Sequence, residues 1–376
     1  MERGIPLFKI RGIQIRMHYT FPLILIFAAI QFALLTGRGL TGAAFGVVVT
    51  SILFAIVVLH ELGHSIAAQS YGIQVKQIVL LPIGGVAQLG RIPEKPSQEL
   101  AISIAGPMVN FVLAAVLAVL GLAYGLDLGL QFVLRLPTGI TIGAVFSYIF
   151  AANLFLGLFN LLPAFPMDGG RVLRALLAMR MKYSRATMLA VTVGQGMAAL
   201  MGLWGFFSGS FFLVLIAVFI FSAAGQEGRM ARVRNVLGDI TVREAYSTQV
   251  RSLTPQSTLR EAIALTMSSV QSHFPVRDGE QLLGILTPNR LADALRNASP
   301  EDSVTKFMRS DFEPVSPDEK LYIAQQLLSE AGADALPVVE NNQFLGLVTA
   351  QDVNKVFRLA SRWPGFTSSR VGIAET

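Results

Sequence analysis

His60, Glu61 and His64 form a His-Glu-x-x-His run inside LFAIVVLHELGHSIAA, residues 53–68. The chain has only four histidines, and two of them stand here at i and i+4. On an α-helix that spacing puts both imidazoles on one face, one turn apart, where two ring nitrogens can bind one tetrahedral zinc. Glu61 is offset from that stripe but close enough to reach a water on the metal. With four His and fourteen Glu in 376 residues, chance produces such a run on the order of 0.002 times per chain. Ile56, Val57, Val58, Leu59 and Leu62 flank it, so the helix is apolar and not a solvated surface helix carrying stray polar groups. A carboxylate in such surroundings is costly unless it has a partner or a task.

The elements that must position these residues are membrane helices. Hydrophobic residues make up 53% of the chain and charged residues 14%, against ~25% charged in soluble domains. Apolar runs approaching ~20 residues predict about six transmembrane helices, at roughly 18–36, 42–69, 98–124, 139–162, 186–207 and 210–225. The first run is long and lacks a small-residue cleavage site, unlike a removable leader. Cysteine is absent, which excludes disulfides and thiolate metal sites. Residues 5–17 alternate as two short strands about Gly12, and residues 75–91, with Pro82 and Gly84-Gly85, predict a membrane-associated β-hairpin. Six spans place both termini on one side. That side carries Arg3, Lys9, Arg11 and Arg16, then Lys76, Arg91 and Lys95, then Arg171, Arg174, Arg180, Lys182 and Arg185, then Arg229, Arg232 and Arg234. The positive-inside rule makes it cytosolic. The net charge of +6 therefore reports topology in the cell membrane and argues against a nucleic-acid partner.

Depth selects a third ligand. His60 lies about 18 residues from the outer end of its span, or ~27 Å at 1.5 Å per residue, near the cytosolic face. Between residues 17 and 226 the other acids are Glu94, Glu99, Asp127 and Asp168. Asp127 falls on the outer side, and Glu94 and Glu99 read as solvated loop residues. Asp168, in NLLPAFPMDGGR, has the right side and depth to complete the three-ligand set that a catalytic zinc wants. The alternative role for Asp168 is an N-cap of the helix that follows. The longer soluble zincin motif would need Gly and His where Ala67 and Ser70 stand, and is excluded.

HELGH at 60–64, AGPMVN at 105–110 and NLLPAFPMDGG at 160–170, in this order, resemble the site-2 protease family of intramembrane metalloproteases. The resemblance covers roughly residues 1–226. Met167 stands where the family usually has Leu. The resemblance implies that His60, His64 and Asp168 ligate Zn2+ and that Glu61 is the catalytic carboxylate. It implies that Asn160 polarises the scissile carbonyl, and that Gly84, Gly85 and Asn110 lie on the substrate path. For both asparagines the alternative is a helix–helix hydrogen bond. The implied substrate is a transmembrane segment of another membrane protein, embedded in the same lipid and unwound at the hairpin's open edge.

Beyond a charged linker at 227–238, composition becomes soluble α/β, and the chain repeats itself with an ungapped offset of 62 residues. Thr241-Val242 aligns with Ser303-Val304, Phe274-Pro275-Val276 with Leu336-Pro337-Val338, and Leu283-Gly284-Ile285 with Leu345-Gly346-Leu347. Each copy reads strand, helix, strand, strand, helix. The pair, 239–298 and 299–360, resembles tandem cystathionine-β-synthase (CBS) domains, which implies an adenine nucleotide as cofactor and a homodimer through this half. The ribose signature of that family is present as Thr349 and Asp352 but altered to Thr287 and Arg290 in the first copy. Residues 361–376 form a tail with no readable role. The combined expectation is a zinc endopeptidase acting within the membrane under CBS control. A CBS-gated transporter would spread polar residues over several spans, and an inactive scaffold would not keep His60, Glu61, His64 and Asp168 together.

Overall fold

The computed structural model describes residues 4–89, 95–126, 128 and 141–363. Asp127, Glu94, Arg3, Arg91, Arg135 and the tail beyond residue 363 lie outside them. The chain divides at Arg229/Met230 into two compact units.

The first unit opens with two strands, β1 (Ile5–Ile10) and β2 (Ile13–Met17), turned by Arg11 and Gly12 at φ 47° and 86°. Helices α1 (Phe21–Thr36) and α2 (Gly39–Ser70) follow, then the hairpin β3 (Val75–Leu81) and β4 (Gly84–Leu89). Next come α3 (Pro96–Tyr124), α4 (Ile142–Asn160), the short α5 (Asp168–Ala178), α6 (Tyr183–Phe207) and α7 (Phe211–Leu237). Among the described residues, five helices are long and apolar enough to cross a membrane: α2, α3, α4, α6 and α7. The first expected span, α1, is apolar but only 16 residues long. The protein is a multi-pass α-helical membrane protein carrying a soluble α/β region.

The two predicted hairpins form one sheet of order β1-β2-β3-β4, in which β2 and β3 pair in parallel from Gln14↔Gln77 to Met17↔Leu80. Its buried face, with Ile13, Ile15, Ile78 and Leu80, packs on Phe54, Val58, Leu62 and Ala68 of α2. The sheet therefore braces the half of α2 that carries the His-Glu run, and β4 is its edge strand.

Residues 227–238, read above as a linker, continue α7 without a break. The stretch EGRMARVRNVL is rich in good helix formers, and charge alone does not end a helix. In the second unit, Leu237, Ile240 and Val242 pack into a core with Val315, Leu321, Leu336, Val338 and Val353. The helices and strands there are α8 (Leu259–Ser268), β5 (Phe274–Asp278), β6 (Gln281–Leu286), α9 (Pro288–Asn297), α10 (Leu321–Ala331), β7 (Ala335–Glu340), β8 (Gln343–Thr349) and α11 (Ala350–Arg362). The expected first strand of each copy is reduced to one bridged pair, Leu253↔Val276 and Val315↔Val338.

The copies exchange their leading segments. Thr241 pairs with Lys320 while Ser303 pairs with Thr258, and Ser247 pairs with Leu347 while Arg309 pairs with Ile285. Each bridge is matched by its counterpart 62 residues on. Gly346 permits one of these contacts, since a Cβ there would lie 2.1 Å from Ser247 O. Gly346→Val should break the Ser247–Leu347 pairing and cost about 1–3 kcal/mol through overpacking. Hydrogen exchange at the Ser247 and Leu347 amides, which bond each other's carbonyls at 2.9 and 3.2 Å, should speed up in the variant; unchanged protection would contradict the exchanged arrangement.

Candidate metal centre

Both histidines of the run are buried on α2, with their rings edge-to-face at 4.8 Å. Their Nε2 atoms are 3.1 Å apart, and each lies 3.1 Å from Asp168 Oδ2. Ligand atoms on a tetrahedral zinc at ~2.0–2.1 Å would stand about 3.3 Å apart, so the three atoms can hold one such ion. The ring nitrogens on the far side are also held. His64 Nδ1 donates to Ile102 O at 2.7 Å, and His60 Nδ1 donates to Asn110 Oδ1 at 2.6 Å. With hydrogens committed at Nδ1, both Nε2 lone pairs point inward, the arrangement that metal-binding histidines adopt. Two imidazoles and one carboxylate, buried and convergent, fit zinc and leave its fourth position open.

Asp168 arrives from a turn folded tightly on itself. A Cβ at Gly169 would lie 2.2 Å from both Leu161 O and Leu162 O, and one at Gly170 would lie 2.7 Å from Ala164 C. Met167 holds the cap position of α5, and the Asp168 carboxylate reaches the histidines instead of capping the helix. The far part of α5 is anchored by Arg174, itself buried. Its guanidinium donates to Glu99 from Nε at 2.8 Å and Nη2 at 2.5 Å, pairs with Glu227 of α7, and stacks over Phe165 and Tyr183. Glu99, expected in a solvated loop, lies instead in the first turn of α3 at 3% exposure. A charged stretch in sequence does not show that one member turns inward to meet an arginine 75 residues away.

The hairpin meets the site at Gly85. A Cβ there would lie 2.8 Å from Glu61 Cγ and 3.0 Å from Val57 Cγ1. Gly84 next to it has φ +140°. Of the two asparagines, Asn110 makes the helix–helix hydrogen bond left open above, and Asn160 bonds within its own helix. Asn110 is fully buried behind His60, bonded to the ring and to Asn153 of α4. Asn160 donates to Leu156 O, one turn back in its own helix. Asn153 did not stand out in the sequence, and Gly106 did so only as part of AGPMVN, with no role of its own. Gly106 lets α3 approach the site, since a Cβ there would lie 2.2 Å from His64 Nε2. Asn153 looks like any polar residue in an apolar helix.

In the second unit Thr349 and Asp352 cap α11 reciprocally. Asp352 Oδ2 accepts from Thr349 N at 3.0 Å and Oγ1 at 2.6 Å, while Asp352 N donates to Thr349 Oγ1 at 3.1 Å. The altered pair keeps half of this, with Arg290 N donating to Thr287 Oγ1 at 3.4 Å. Burial pushes the pKa of His273 below the usual histidine range, while the negative charges of Asp334 and Asp352 oppose the shift.

The model of Peptidase family M50 matches residues 48–136 and 135–203, and that of the CBS domain matches 242–297 and 304–358. A zinc metalloprotease of Methanocaldococcus jannaschii is 33% identical over 354 residues, covering 94% of this chain and 96% of that protein. A solved site-2 protease from the same organism is 40% identical, covering 60% of this chain and 95% of that one, with a TM-score of 0.44. A convergent His-His-carboxylate set beside helices long and apolar enough to cross a membrane, together with these relatives, makes the chain a membrane zinc metalloprotease. The chain belongs to Peptidase family M50, the site-2 protease type, and carries a tandem pair of CBS domains.

Gly106→Ala should disturb the centre directly. The added methyl meets the His64 ring, which Ile102 O prevents from turning away. Zinc affinity, read by chelator competition on the purified protein, should fall at least ~10-fold, the range seen when ligand orientation is lost. Affinity equal to that of the parent would mean that His64 takes no part in binding.

Proposed function

We propose that this protein hydrolyses peptide bonds within transmembrane segments of other membrane proteins. The observation that carries this reading is the position of the three ligand atoms: buried on apolar helices, with Glu61 and the edge strand β4 beside them. In this reading His60, His64 and Asp168 hold Zn2+. Bound zinc supplies a water of lowered pKa and polarises a carbonyl. Glu61 would take a proton from the attacking water and return it to the leaving amine. A substrate helix hides its carbonyls in its own hydrogen bonds, so it must unwind before cleavage. An unwound strand adds to the free edge of β4, and Gly84 and Gly85 let its backbone come close to Glu61.

The basic loops favour both termini and the CBS pair in the cytosol, with the protease domain over 1–226 and the CBS copies over 239–298 and 299–360. The CBS pair is the regulatory half and the surface for a homodimer. An adenine nucleotide binds asymmetrically at Thr349 and Asp352, because Asp352 can accept from ribose hydroxyls and Arg290 cannot. The nucleotide regulates the protease only to the extent that it favours one arrangement of the pair over another.

Two variants separate catalysis from metal binding. Glu61→Gln should abolish cleavage of a single-pass membrane segment, by 10²–10⁴-fold or more, while zinc stoichiometry stays at that of the parent. Asp168→Ala should lose zinc and activity together. Parent-level turnover in Glu61→Gln, or full zinc in Asp168→Ala, would overturn the respective assignment.

Calorimetry tests the nucleotide. The whole protein should take up AMP, ADP or ATP, and Asp352→Ala should remove that heat. If no nucleotide gives heat, or the variant binds as the parent does, the second unit has a structural role only.

A further inference from the structure

We infer that Asn153, on α4, is a positioning residue for the metal centre, fixing the tautomer of His60 through Asn110. The inference rests on the assignment of His60 as a metal ligand. The chain of reasoning starts at its far end, with Ile149 O. A backbone carbonyl can only accept a hydrogen bond, whereas a primary amide has a donor end and an acceptor end. Asn153 Nδ2 donates to Ile149 O at 2.9 Å. That leaves Asn153 Oδ1 facing α3, where it accepts from Asn110 Nδ2 at 3.2 Å. With its nitrogen committed, Asn110 turns Oδ1 toward His60 Nδ1, at 2.6 Å. An amide oxygen only accepts, so Nδ1 carries the hydrogen. A neutral imidazole has one such hydrogen, so the lone pair is at Nε2, which faces His64 and Asp168.

Asn110 alone could not ensure this. Its amide is nearly symmetric in shape, and a half-turn would aim an N–H at the ring. That would favour the opposite tautomer, with a hydrogen in the ligand position. Asn153 removes the choice because it is itself oriented by a group that has no second option. Both asparagines are buried, at 0% and 1% exposure, so bulk water does not substitute for either partner. His64 needs no such relay, since its Nδ1 reaches a carbonyl, Ile102 O, directly. The device exists because His60 faces a side chain where His64 faces backbone.

The test is zinc affinity of the full-length purified protein, measured by competition with a chromophoric chelator, with the absorption of the Co2+-substituted protein as a second readout of ligand geometry. Asn153→Leu keeps size and removes both bonds; it should lower zinc affinity 10–100-fold, the range for lost support of a metal-binding histidine, and alter the Co2+ bands. Asn153→Asp should restore parent-like affinity, because a carboxylic acid buried there is neutral, donates to Ile149 O and still accepts from Asn110. In an Asn110→Leu background, Asn153→Leu should cause no further loss, since its effect runs through Asn110. If Asn153→Leu does not fold, Asn153→Ser replaces it; a serine hydroxyl satisfies Ile149 O but is too short to hold Asn110. Parent affinity in Asn153→Leu or Asn153→Ser, a loss in Asn153→Asp as large as in Asn153→Leu, or additive losses in the double variant would overturn the relay. His60→Ala distinguishes the two levels: undiminished zinc there removes the metal assignment itself, whereas loss there with no effect at Asn153 removes only the relay.

Discussion

Two imidazoles and a carboxylate meet at 3.1 Å inside a bundle of apolar helices, and the rest of the membrane unit is arranged around that meeting. Placing three polar groups there is unfavourable unless each has partners. Two of them lie one turn apart on α2, so their proximity follows from helix geometry. The third stands 108 residues from His60, and only tertiary structure brings it in. α3 is the intermediary. It presents Ile102 O to one histidine and Asn110 to the other, with eight residues separating the two partners on the same helix.

Close approach is the second requirement, and it is met by missing side chains. α2 and α3 touch where a Cβ on Gly63 would lie 2.8 Å from Ala105 O, the small-residue contact through which membrane helices pack. Such packing sets distance but not the position of α5 along its own axis. The Glu99–Arg174–Glu227 cluster holds that coordinate, tying α5 to α3 and α7 through one buried guanidinium. Burial of the arginine offers little net stability compared with an apolar substitute, but losing one partner strands a charge. The cluster therefore restricts where α5 can sit more than it stabilises the fold.

What was legible in the sequence follows from the range of each constraint. The His60–Glu61–His64 run was legible because its chemistry is contained within one turn of helix. Asp168 was reachable by elimination, since few acids share its side and depth. The relay through Asn110 and Asn153 was not, because an asparagine in an apolar helix looks the same whether it supports a ligand, touches a substrate or bonds its own helix. Asn160, for one, bonds its own helix at Leu156 O. Glu99 misled for a related reason: its neighbours are charged and solvated, and its partner is remote. Both hairpins were visible as local alternation, but the parallel pairing of β2 with β3 joins segments about 60 residues apart and leaves no periodicity to read.

In the second unit a motif that resembles a ligand signature has a structural task of its own. Thr349 and Asp352 stand three apart, the spacing of a capping box, and they form one. The pair is thus accounted for by helix termination before any ligand is considered. What the box leaves over is the other carboxylate oxygen, since both of its bonds end on Asp352 Oδ2. Arg290 in the first copy retains the backbone bond to its threonine but brings no carboxylate. The helix start is therefore preserved in both copies while the spare acceptor survives in one. The exchanged leading segments give each core residues from both copies, so neither repeat closes its core without the other.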